Sequence, residues 1–90
     1  MKNVENYRTR KCIVMDFDEY NELIKKVTDN KISVSYDCYD NELTYKTVEG
    51  TDNVDFVIAV ALSKYFDVTV TSVHADGYDT PYMWIVYKED

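Results

Sequence analysis

The spacing of apolar residues changes period several times along the chain, and each change marks an element. Residues 9–15, TRKCIVM, are dense in β-forming types and stop at Asp16, which predicts a first strand. In the following DFDE, Asp16 is placed as an N-cap whose carboxylate accepts the N3 amide, and Glu19 at N3 completes a capping box. Met15 and Tyr20 flank it as a hydrophobic staple. Phe17, Tyr20, Leu23, Ile24 and Val27 then recur at helical spacing and lay one apolar stripe on a helix of about three turns. Asp18, Glu19 and Glu22 sit early and Lys25 and Lys26 late, which suits the helix dipole, and Thr28, Asp29 and Asn30 end the segment.

From Lys31 the period becomes two. Ile32, Val34, Tyr36 and Cys38 point one way, with Tyr36 expected in the core, while Ser33, Ser35, Asp37 and Tyr39 point the other. Asp40-Asn41 is turn chemistry. Leu43, Tyr45 and Thr47 then alternate with Thr44, Lys46 and Val48, so residues 31–48 predict a β-hairpin. Gly50 lets the chain turn out of the strand, and the polar loop 49–53 leads to a helix cap at Thr51 or Asp52.

NVDFVIAVALSKYF is rich in β-branched residues but long for a strand. Val54, Val57, Ile58, Ala61, Leu62 and Tyr65 fit one helical face. Phe56, Ala59 and Val60 make the opposite side unusually apolar, which predicts a deeply buried helix or, as the alternative, one with a face docked on a partner. Residues 67–74 form a further strand by their Val and Thr content, ADGYDTP a turn, and YMWIVYK a final strand. The expected class is α+β in the order β-α-β-β-α-β-β, a mostly antiparallel sheet with two helices on one face. The first six elements follow the ferredoxin-like split βαβ order, with an extra C-terminal strand.

Composition supports one self-sufficient domain over residues 1–90. With 46% hydrophobic and 14% aromatic residues the chain has the material for a core, and at this length it buries roughly 60–70% of its unfolded surface. No run approaches the ~18 apolar residues of a membrane helix, and MKNVENYRTR lacks the apolar core of a signal peptide, so a cytoplasmic location is expected. Cys12 and Cys38 both fall in segments that read as strands and have no metal-like spacing. They are expected as small buried hydrophobes, bridged only if their strands are neighbours.

Charge is unevenly placed. Of the net −7, residues 1–15 carry Lys2, Arg8, Arg10 and Lys11 against Glu5, a net of +3, which leaves −10 on the remainder. Such a body repels nucleic-acid phosphate and anionic membranes, and a basic protein surface is what it attracts. Its simplest consequence is solubility.

Chemistry is sparse. Gly50 and Gly77 stand alone, so no phosphate-cradling loop exists, and His74 is the sole histidine available to a nucleophile. HADGYD, residues 74–79, puts one imidazole and two carboxylates close together, but a hairpin turn accounts for it better than a metal site. No cofactor and no metal site are expected. Most of the nine tyrosines suit the surface of a sheet, an apolar ring with a hydroxyl reaching water. Tyr39 and Tyr78, each beside turn aspartates, stand out as rigid contact residues. With Asp37, Asp40, Glu42, Glu49, Asp52, Asp55, Asp76 and Asp79 they compose a candidate partner-binding face, anions studded with rings.

In small size, acidity, solitary-domain character and lack of catalytic signatures the chain resembles small phage-borne inhibitors, among them anti-CRISPR proteins and the uracil-DNA glycosylase inhibitors that act as DNA mimics. That resemblance implies a non-enzymatic protein that occupies the basic surface of a nucleic-acid-handling partner. The alternative expectation is a self-associating structural or accessory domain, a homodimer included, whose acidity serves only solubility.

Overall fold

The computed structural model describes residues 10–48, 53–78 and 81–89. Its elements are β1 (Cys12–Asp16), α1 (Phe17–Val27), β2 (Ile32–Asp37), β3 (Glu42–Thr47), α2 (Val54–Phe66), β4 (Thr69–Asp76) and β5 (Tyr82–Lys88). The class is α+β, every strand pair is antiparallel, and the order is the one the periodicity predicts.

Local chemistry explains the breaks between elements. Asp16 caps α1: its Oδ1 accepts the Glu19 N–H at 2.8 Å, and the Glu19 carboxylate accepts the Asp16 N–H at 3.3 Å. Among the described residues five non-glycines, Asp29, Asn30, Asn41, Asn53 and Asp67, take positive φ, and all five are Asn or Asp, the non-glycine types that enter the left-handed region at least cost. The cap of α2 differs from expectation. It is Asn53, in the left-handed region and without a side-chain cap bond, while Thr51 and Asp52 lie outside the described residues.

The strands hydrogen-bond as two sheets rather than one, with orders β1-β5-β4 and β2-β3. The extra C-terminal strand β5 thus lies in the centre of the larger sheet, and its residues Met83, Ile85 and Val86 are all buried. Tyr20 and Ile24 of α1, Ile32 and Val34 of β2, Ile58 and Leu62 of α2, Val70 of β4 and Met83 and Ile85 of β5 form one core. Both helices therefore cover the same face of the larger sheet, and Val14 and Tyr82 lie exposed on the opposite face.

The phase of α2 departs from expectation at its end. Phe66, not Tyr65, packs against the core, and Tyr65 is 49% exposed with its ring edge-on to Phe66 and Lys26 over its face. Phe56 is 67% and Val60 37% exposed, so α2 is not deeply buried. Cys38 lies in the turn after β2 rather than in a strand. It and Cys12, which lies on β1 in the other sheet, are both free thiols, and both are half-buried rather than buried as expected. No helix among the described residues is long and apolar enough to cross a membrane.

Candidate functional site

The β2-β3 hairpin closes at the Asp37 and Glu42 pair, with residues 38–41 as its turn. Asp37 Oδ1 accepts the N–H of Tyr39 at 2.9 Å and of Asp40 at 3.4 Å, so this carboxylate builds the turn that presents its neighbours. Tyr39 projects at 86% exposure, and Asp40 and Glu42 are exposed beside it. Tyr36 is not a core residue. Half-buried, its ring lies 6.4 Å from that of Phe17, and its hydroxyl donates to Gly77 O at 2.7 Å in the β4-β5 turn. Asn41 Oδ1 lies beside the same hydroxyl. Tyr36, 41 positions from Gly77 in sequence, thereby ties the end of the hairpin to the β4-β5 turn, and next to Gly77 stands Tyr78, 61% exposed. Of the expected face, the structure gathers Asp37, Tyr39, Asp40, Glu42, Asp76 and Tyr78 at one end of the molecule. Glu49, Asp52 and Asp79 lie outside the described residues.

Asp55 belongs to a second feature that the periodicity did not reveal. Between the hairpin and β4 runs a cleft of about 630 Å³, walled by Glu42, Leu43 and Tyr45 on one side and the continuous run from Val70 to Asp76 on the other. Asp55, Ile58 and Ala59 of α2 line it as well. Below it the Tyr20 and Tyr45 hydroxyls share a 2.8 Å hydrogen bond, and burial pushes both phenols up, the nearby Asp55 carboxylate adding to the effect.

The direction of the backbone on both walls follows from bonds made elsewhere. Tyr87 donates its N–H to Lys11 O at 3.0 Å, toward β1, so alternation turns the backbone groups of Tyr82, Trp84 and Val86 toward β4. Their partners Asp76, His74 and Ser72 face β5 in return, which leaves the N–H and C=O of Val73 and Ala75 directed away from it, along the cleft wall. On the hairpin, Ile32 donates its N–H to Thr28 Oγ1 at 3.2 Å and Val34 to Asn21 Oδ1 at 2.9 Å, both away from β3. Opposite them Leu43, Tyr45 and Thr47 therefore turn their backbone groups away from β2, and Leu43 and Tyr45 line the same cleft. Two walls of the cleft are thus strand edges.

Burial pushes the Cys12 thiol up, against thiolate formation, and burial lowers His74, whose Nε2 lies 3.0 Å from Ser72 Oγ. Among the described residues no group of three or more His, Cys, Asp or Glu side chains is placed to hold a metal ion. Comparison with protein-family models, curated proteins and solved structures finds no match to this chain.

Proposed function

We propose that the chain is a non-enzymatic acidic binding module that occupies the basic surface of a nucleic-acid-handling protein, an inhibitor of the anti-CRISPR or DNA-mimic kind. The observation that carries this reading is the Tyr36 bridge, which brings two turns rich in Asp and Tyr to one end of the molecule. There the exposed rings of Tyr39 and Tyr78 stand near the exposed carboxylates of Asp37, Asp40 and Glu42. Closely spaced anions on a stiff hairpin present to a basic groove the charge that phosphates otherwise supply. The test immobilises the protein and identifies what it retains from its host's lysate across a salt series. Retention of a nucleic-acid-binding protein should fall steeply with salt and be lost when Asp40, Glu42 and Asp79 are together changed to Lys. Retention that ignores both changes refutes the reading.

The exposure of Phe56 and Val60 favours a second reading, self-association through α2. Beside these residues an apolar groove runs along α2 to Val68 and Val70. Light scattering that finds a strict monomer over a wide concentration range eliminates it.

A further inference from the structure

Unpaired strand edges are normally blunted, because a row of open N–H and C=O groups templates pairing with another chain. In this protein two edges have been covered with helix side chains. Thr28 Oγ1 and Asn21 Oδ1 take the outward N–H groups of Ile32 and Val34 on β2, and Ser63 Oγ takes that of Val70 on β4 at 2.9 Å. The covering stops there. The outward backbone groups of Val73 and Ala75 on β4, and of Leu43 and Tyr45 on β3, make no hydrogen bond with another described residue, and all four line the one cleft.

From these edges we infer that the cleft receives an extended basic segment of a partner protein as an added β-strand between β3 and β4, an inference that rests on the acidic-module reading above. The walls specify the segment. The run from Val70 to Asp76 is roughly 20 Å long at strand rise, room for a strand of ordinary length. Alternate side chains of an inserted strand point inward, onto Ile58 and Ala59 of α2, and outward, between Glu42 of β3 and the outer face of β4. An apolar and basic alternation therefore fits. Main-chain bonds to Val73 and Ala75 supply affinity, and the carboxylates select against acidic and neutral sequences.

The probe is a short synthetic peptide alternating arginine and valine, compared with the same peptide N-methylated at alternate amides, and titrated into the full chain. Binding should slow hydrogen exchange at the Val73 and Ala75 amides, weaken about tenfold with the methylated peptide, and weaken by a similar factor in Glu42→Lys. Ala75→Pro removes one outward donor without touching the bonds to β5 and should weaken binding likewise. If that variant does not fold, the methylated peptide tests the same bond from the other side. Equal binding of the methylated peptide, no binding at all, or protection at Val14 on β1 instead overturns the inference. So does concentration-dependent protection at Val73 and Ala75 without peptide, which assigns the cleft to a second copy of the chain. Salt-sensitive binding that ignores methylation and Ala75→Pro removes strand addition while leaving the acidic module standing, whereas failure of every basic ligand at low salt removes both.

Discussion

Thr28 is the only polar residue among the buried side chains described, and its hydroxyl makes two bonds: it donates to Ile24 O at 2.6 Å and accepts the N–H of Ile32 at 3.2 Å. Thr28→Val keeps the shape and deletes both. The Ile24 carbonyl keeps the backbone N–H of residue 28 at 3.1 Å, so its loss is small. The Ile32 N–H has no such reserve, because Ile32 is 1% exposed and water does not reach it. A forfeited hydrogen bond of about 1 kcal/mol, together with the partial desolvation penalty of an orphaned buried donor, gives a cost of about 2 kcal/mol. With an m-value of roughly 1 kcal/mol/M for a chain of this size, the urea midpoint should drop by about 2 M with the slope unchanged. The melting temperature should fall by about 10 °C. Thr28→Ser, which keeps the hydroxyl, should recover most of the loss. A Thr28→Val midpoint within about 0.5 kcal/mol of wild type refutes the reasoning, as does a Thr28→Ser cost equal to that of Thr28→Val, since the methyl rather than the hydroxyl then carries the effect.

Asp16→Ala removes the capping box of α1 and should cost about 1 kcal/mol in urea unfolding, with Asp16→Asn close to wild type. Because burial raises Tyr20 above its ordinary value of 10.0, its neutral form supports the fold fully below about that pH, and stability should fall as pH rises beyond it. Near-ultraviolet titration should show Tyr20 ionising only with unfolding. Burial depresses His74 from 6.5, so its contribution is present above that pH and lost as pH falls below it; His74→Gln should flatten the acid side of the stability profile.

What could be read from the sequence was local. The capping box needs only four consecutive residues, and the α1 stripe and the hairpin alternation are repeated over enough positions to set their own phase. The phase of α2 was harder because apolar residues surround it: with Phe56 and Val60 on one side, Ile58, Leu62 and Phe66 on the other, and Tyr65 close in angle to Ile58 yet exposed, periodicity does not choose between faces. The division into two sheets depends on pairings far apart in sequence, such as Cys12 with Val86, which no local pattern encodes. At the candidate site, the exposure of Tyr39 and Tyr78 followed from their turn neighbours. The role of Asp37 as turn builder and the contact of Tyr36 with Gly77 did not, since each depends on the geometry of a closed turn.

The cleft lies wholly on the illegible side, because its defining atoms belong to the backbone and every residue has the same ones. What sequence does supply is the means of covering edges, and here its placement is selective. Thr28 and Ser63 work alike: each hydroxyl near a helix C-terminus donates to the carbonyl four residues earlier and accepts an outward strand N–H. Asn21 extends the cover on β2 to a second amide two residues along, so α1 closes the edge it meets. On β4 the cover ends at Val70, before the bulge that separates it from Ser72, and beyond the bulge no helix hydroxyl or amide among the described residues bonds the outward strand amides. A protein that merely had to stay soluble would gain from covering Val73 and Ala75 too, and one serine or asparagine facing them would suffice. If the cleft takes an added strand as inferred above, carboxylates beside the open edge such as Glu42 and Asp55 disfavour acidic strands, this chain's own copies among them, and favour a basic one.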